Sequence, residues 1–316
     1  MTPTRFLALA VAAAAVAGGC TSARHSAGPA AAPTPATTTV PAPPAPNCGD
    51  PTASSRPTAA LPPPGQMPAG SYMRTIQDRG RLVAGVSPDT LLFGEVNPFS
   101  GQFEGFDVDV VKQVAKAIFG DDSHIEYRAV TNAQRIPDVQ GGAVDMVAHT
   151  MTINCARRLL VDFSSVYYDA GQKVLVRTDS TAQSVNDLGG KKVCAPLGTT
   201  SIDNLGKVPT HPVPVGVVDE TDCLVAFQQG VVDAISTDDT VLAGMAAQDP
   251  YAKVVGPRFS DEPYGIATNL AHPDFTRFIN AVLERMRTDG TWTSIYNRWL
   301  GRFGPAPPPP QAKYKD

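Results

Sequence analysis

From Arg81 to Trp299, short apolar runs of strand length alternate with stretches of helical period, and this alternation constrains the fold more than any other feature. Arg81–Val86 reads as a strand closed by Ser87-Pro88-Asp89. Asp107–Phe119 reads as a helix whose buried face is Val110, Val111, Val114, Ala115 and Ile118, with Gly120 as its stop. Ile125–Val130 alternates as a strand, Ile136–Gly141 is a short helix with Pro137 in its first turn, and Val144–Ala148 is a strand. Strands follow at Gln172–Arg177, Lys192–Ala195 and Val232–Ile235, with a helix at Cys223–Gln229. Phe275, Phe278, Ile279, Val282, Leu283 and Met286 mark a long helix ending before Gly290. Trp292, Ile295, Tyr296 and Trp299 mark a short last one. Such a sequence of elements specifies an α/β protein with mainly parallel sheets, where ligands bind in a crevice at the carboxyl ends of strands.

Composition sets the limits of the folded part. Residues 21–71 hold 13 of the 30 prolines and no aromatic residue. That stretch reads as an extended tether, leaving Tyr72–Gly304 to fold, and Pro307–Pro310 reads as part of a second disordered segment. Ahead of the tether, Arg5 precedes an apolar run from Phe6 to Ala17 and then Gly18-Gly19-Cys20, the layout of a secretory signal too short to cross a membrane. Cys20 directly after small residues resembles a bacterial lipobox, which implies a lipidated, mature N-terminus. A net charge of −4 and 7% aromatic residues argue against a nucleic-acid partner. With Cys20 set aside, Cys48, Cys155, Cys194 and Cys223 allow three disulfide pairings, and their spacing matches no zinc site.

Nucleophile, metal and phosphate-loop motifs are absent, and the five histidines are scattered. His149 lies just past a strand end, where local packing is the favoured role. Strand ends do carry anion and ammonium handles. Thr150, Thr152 and Arg157 follow the strand ending at Ala148, and Gly198-Thr199-Thr200-Ser201 opens a helix after the strand at Cys194. Arg135 follows the strand ending at Val130, and Asp238 the one ending at Ile235. Together they would hold a zwitterion, with an arginine fork on its carboxylate and an aspartate on its ammonium.

The residues carrying these handles resemble a known family. The runs are Glu104-Gly105-Phe106-Asp107-Val108-Asp109, Asn132-Ala133-Gln134-Arg135-Ile136-Pro137, and Val144 to Arg157 followed by Asp162-Phe163-Ser164. Gly198-Thr199-Thr200-Ser201, Gly230-Val231-Val232-Asp233-Ala234, Thr237-Asp238-Asp239 and Tyr264-Gly265-Ile266-Ala267 complete them. Across residues 75–303 the chain resembles the extracytoplasmic solute-binding proteins (family 3) of polar amino-acid ABC transporters. Its look-alikes include mycobacterial lipoproteins of the glutamine/glutamate/aspartate-binding type.

The resemblance implies a two-lobed α/β fold of the type II periplasmic-binding-protein kind, its lobes joined by two hinge strands near 175–176 and 262–264. The expected divisions are 1–19 signal, 20–71 lipidated cysteine and tether, 72–174 plus 264–303 lobe 1, 177–261 lobe 2, and 304–316 disordered tail. Family roles carried across give Arg157 the ligand α-carboxylate, supported by Thr152 and Thr199, with Thr200 beside them. The ammonium goes to Asp238 and the Thr150 carbonyl. Phe93 or Phe99 would supply an aromatic wall. Arg135 and Asn132 at the side-chain end, with Pro196 where glutamine binders often have lysine, favour glutamate or aspartate over asparagine or glutamine. Ser87 stands where some acidic binders have a second arginine, and Lys173 is a candidate replacement charge. The family look-alikes also imply Cys194–Cys223, which leaves Cys48 to Cys155. The expected partners are an ABC permease with its ATPase, or a membrane-embedded sensor, and the expected state is a membrane-anchored, extracytoplasmic monomer without cofactor or metal. A cyclohexadienyl dehydratase-like enzyme is the alternative that the same fold allows.

Overall fold

The computed structural model describes residues 47–58 and 60–315. Helix α1 (Tyr72–Arg79) starts where the Ser71 side chain accepts from the Arg74 amide and stops at Gly80 in the left-handed region. The fully buried strand β1 (Leu82–Val86) follows, then a small antiparallel sheet of β2 (Asp89–Thr90), β3 (Gly94–Val96) and β4 (Phe103–Glu104). Helix α2 (Phe106–Phe119) enters from Gly105 at φ 132°, where a Cβ would lie 2.2 Å from the Phe93 carbonyl oxygen. Only glycine can start this helix so close to the preceding loop. β5 (Ile125–Ala129), α3 (Arg135–Gln140), β6 (Met146–Val147), α4 (Cys155–Arg158) and β7 (Asp162–Phe163) complete this part of the first lobe.

Strand β8 (Tyr168–Arg177) then carries the chain into a second lobe. There β9 (Lys192–Pro196), α5 (Thr200–Leu205), β10 (Val213–Val217), α6 (Glu220–Gln228), β11 (Ala234–Asp238) and α7 (Asp239–Gln248) alternate. Strand β12 (Ala252–Tyr264) returns to the first lobe, which closes with β13 (Ala267–Thr268), α8 (Pro273–Thr288) and α9 (Thr291–Trp299). The sheets have the orders β5-β1-β6-β13-β7 and β10-β9-β11-β8-β12. In each, four strands run the same way and one opposes them, β13 in the first sheet and β8 in the second. The α/β expectation is met, with two lobes.

The crossover lies earlier on β8 than expected. Tyr168 and Ala170 pack in the first lobe's core, whereas Gln172 donates to Ser201 and Ser236 in the second. Leu175 and Val176 are buried inside the second sheet, paired with Ile235 and Ala234. The crossing pair is therefore about 170–172 with 260–262, near the register shift between Val255 and Ser260. Arg258 in that irregular stretch folds over Gly171, where a Cβ would meet its Cδ at 2.2 Å, and donates to Asp239 at 2.7 Å.

The expected tether and tail differ most. The signal, Cys20 and the tether up to residue 46 lie outside the described residues. Cys48, however, is bonded to Cys155, and Cys194 to Cys223. Ser54 is fully buried, its backbone bridged to Lys313 and Lys315 on either side of Tyr314. Asn280, also fully buried, donates to Ser54 Oγ and to the Ser55 carbonyl and accepts from the Ser165 amide. Met67 joins the core, Arg287 donates to the Pro310 carbonyl, and Tyr314 donates to Glu284. Proline enrichment sets an extended backbone, but that backbone still has carbonyls, and side-chain donors on α8 satisfy them. Asn280→Ala strands a buried amide and a buried carbonyl, so it should lower unfolding free energy by about 2–4 kcal/mol in urea titration. Hydrogen exchange should show residues 47–58 released first.

Candidate functional site

The loops at the carboxyl ends of β1, β5 and β6 face those of β9, β10 and β11 across a cleft. Asn132, Arg135, Thr150, Thr152, Arg157, Thr199, Thr200, Ser201, Glu220, Thr237 and Asp238 line it. The lobes meet directly: Asp89 accepts from the Thr221 amide at 2.9 Å and its hydroxyl at 2.8 Å. Gly198, at φ 76°, sits so close to the first lobe that a Cβ would be 2.8 Å from the Ala133 Cα.

Two guanidinium groups converge on that glycine. Asn154 caps α4 and accepts from the Arg157 amide, while Cys155 ties the same turn to Cys48. From this fixed base Arg157 donates to the Thr152 carbonyl at 2.7 Å and to the Gly198 carbonyl at 3.2 Å. Arg135, the first residue of α3, donates to the carbonyls of Asn132, His149 and Gly198 at 3.0, 3.0 and 3.2 Å. Both arginines are buried, at 2% and 8% exposure, and these recorded acceptors are all neutral. Burial and then the neighbouring Arg157 pull the Arg135 guanidinium down to about 9. Burial also lowers Arg157, against the fields of Glu262 and Asp238. A buried cation that meets only carbonyl dipoles favours an anion in the cleft. His149 contributes its backbone carbonyl; its buried ring is pushed down to about 3, chiefly by burial and then by Arg135.

Carboxyl groups face the arginines. Asp238 occupies the N-cap position of α7 without a capping bond, and its Oδ2 accepts from the Tyr264 hydroxyl at 2.6 Å. Its Oδ1 is buried without a hydrogen-bond partner, and burial followed by the Glu262 charge raises its pKa well above the usual range. Glu262 on β12 accepts from Thr152 and Thr200 hydroxyls at 2.7 and 2.6 Å, one from each lobe, and from Ser260 and Asn204. Glu220, first residue of α6, accepts from Asn132 at 3.2 Å; its Oε2 and the Asn132 Oδ1 are buried without partners. Behind the cleft Asp107 accepts from the Thr150 amide and the Tyr167 hydroxyl, holding Thr150 at φ 40°. Burial pushes the Asp107 carboxyl up to about 7.

Eight of the expected site residues therefore line one cleft: Arg157, Asp238, Thr152, Thr150, Arg135, Thr199, Thr200 and Asn132. The Thr199 hydroxyl is engaged as the cap of α5, donating to Pro196 and accepting from the Ile202 amide. Three expected residues lie outside this lining. Phe99 is 97% exposed on the β3–β4 loop, and Phe93 is fully buried behind the cleft, packed edge-on against Tyr168 and Tyr264. Lys173 lies outside the lining; its neighbour Gln172 bonds toward Ser201 and Asn204, so strand alternation sends Lys173 to the other face. Glu220 and Glu262 were not foreseen. Glu220 sits at a helix start after a strand, as Thr199 does, and Ser260, Glu262 and Tyr264 alternate on one face of β12.

The sequence pattern of bacterial extracellular solute-binding proteins, family 3, matches residues 82–302. The chain belongs to this family. It is 40% identical over 229 residues to the ABC transporter glutamine-binding protein GlnH of Bacillus subtilis, covering 72% of this chain and 84% of that one. It is 33% identical over 253 residues to the glutamate-binding protein GluB of Corynebacterium efficiens, covering 75% and 84%. An ancestral arginine-binding protein bound to glutamine superposes with a TM-score of 0.66 at 35% identity, covering 71% of this chain and 99% of that one. The family is extracytoplasmic, and no helix among the described residues is long and apolar enough to cross a membrane. Gly198→Ala should hold the lobes apart, because its Cβ meets backbone. Solution scattering should give a larger radius of gyration than for the unsubstituted protein, with the thermal transition lowered only slightly.

Proposed function

We propose that this chain is the receptor of an ABC importer for polar amino acids of the glutamine, glutamate, asparagine and aspartate set, closing on its ligand by motion about the β8–β12 crossover. One observation carries this reading: two buried guanidinium groups share a neutral carbonyl, across the cleft from an Asp238 oxygen with no partner. A zwitterion supplies both missing charges. Arg157 takes the α-carboxylate, with Thr152 and Thr199 beside it, and Asp238 and the Thr150 carbonyl take the ammonium. Arg135 and Asn132 read the end of the side chain. Relatives named for glutamine and for glutamate support this ligand set. Cys20, outside the described residues, would hold the receptor to the outer face of the cytoplasmic membrane.

The sequence expectation of acidic preference rested on Arg135 with Asn132 and Pro196, and the Glu220 carboxyl, which accepts from Asn132, opposes it. Calorimetric titration of the ligand-stripped protein with the four amino acids, lysine, arginine and prephenate tests the class. Binding confined to the glutamine–glutamate set supports it, and silence for all four contradicts it. Arg157→Ala should weaken every amino acid, by about 2–5 kcal/mol, because it leaves buried partners uncompensated. Arg135→Ala should weaken glutamate more than glutamine; equal losses would remove Arg135 from the side-chain end.

A further inference from the structure

The side-chain end of the cleft holds an imbalance that the zwitterion does not relieve. Glu220 Oε2 and Asn132 Oδ1 are two buried acceptors without partners, and the Glu220 residue is 3% exposed. An acidic residue in the first turn of α6 suits the helix dipole, but the dipole does not require a carboxylate to be buried with one oxygen unpaired. Arg135 beside them donates three bonds through Nε, Nη1 and Nη2, which leaves two of a guanidinium's five N–H groups for a ligand. Two open acceptors next to an open donor match a primary amide, which offers two N–H groups and one carbonyl oxygen. A carboxylate offers acceptors only and would face an ionised Glu220 with nothing to share.

Resting on the receptor reading above, we infer that Glu220 is the residue that separates amide from acid ligands. Ionised, it accepts from the amide of glutamine or asparagine while Arg135 donates to the amide oxygen. Protonated, it donates to the carboxylate of glutamate or aspartate, which Arg135 also holds. The charged groups around it are Arg135, which favours ionisation, and Asp89, Asp219 and Asp238, which oppose it. Burial and Asp89 together push the Glu220 carboxyl up to about 7, so the exchange falls near neutral pH. The sign follows directly. As pH falls through that value Glu220 gains its proton, so glutamate gains affinity relative to glutamine. The ligand carboxylate, with an ordinary pKa near 4.3, stays charged throughout. Arg157 and Asp238 contact groups common to both ligands and cancel in the ratio.

The test is calorimetric titration of the full chain with glutamine and with glutamate at about pH 6 and about pH 8. Taking up one proton can change the ratio by up to about tenfold per pH unit. The unsubstituted protein should shift at least about fivefold toward glutamate at the lower pH. Glu220→Gln should bind glutamate about tenfold better relative to glutamine at pH 8, with a ratio that no longer depends on pH. Binding of both ligands with a pH-independent ratio in the unsubstituted protein overturns the role of Glu220 and leaves the receptor reading standing, even if the variant fails to fold. The same pH slope persisting in Glu220→Gln also overturns it. Failure of the unsubstituted protein to bind either amino acid overturns the receptor reading and this inference together.

Discussion

Two buried arginines reach the same carbonyl oxygen, that of Gly198, one from α3 and one from α4. Like charges placed together out of water are unfavourable, and carbonyl dipoles offset only part of the cost. The surrounding structure is organised to tolerate this. Cys155 and Asn154 fix the turn that carries Arg157, and Asp107 holds the adjoining Thr150 in a conformation that residues other than glycine rarely adopt. On the facing lobe, Gly198 gives up its side chain so that its carbonyl can come close. A ligand carboxylate entering here meets donors that are already oriented, which reduces the ordering cost of binding.

The packing outside the cleft supports the same arrangement. The segment at 47–58 and the one ending at Lys315 pair with each other and lie against α8, so Cys48 reaches α4 from an ordered base. Among the described residues, the strands that continue between the lobes are β8 and β12, with Gly171 beneath Arg258 beside their crossing. Glu262 at that crossing accepts hydroxyls from both lobes. Contact across the cleft and the backbone connection between the lobes are therefore joined through one carboxylate.

Much of this was legible in the sequence because strand ends and helix starts can be read locally. Arg157, Asp238, Thr152 and Arg135 were placed by following each apolar run to its polar end. Glu220 was missed although it obeys the same rule, because a first-turn acid has a local explanation in the helix dipole. Glu262 was missed because β12 has only partly buried residues over much of its length and no continuous apolar run to announce a strand. The proline-rich segments misled for a different reason. Composition reports backbone conformation, but the donors that bind those carbonyls sit on α8: Asn280 lies 225 residues from Ser55, whose carbonyl it meets, and Arg287 lies 23 from Pro310.

The central claim is that the cleft recognises both α-groups of an amino acid at once, through Arg157 and Asp238. Competition of labelled glutamine by two analogues tests it most directly: 4-aminobutanamide, which lacks the α-carboxylate, and 4-carbamoylbutanoate, which lacks the ammonium. Each leaves one buried charge of the protein uncompensated, so each should bind at least about 100-fold more weakly than glutamine. Binding of either analogue within about threefold of glutamine would contradict the account.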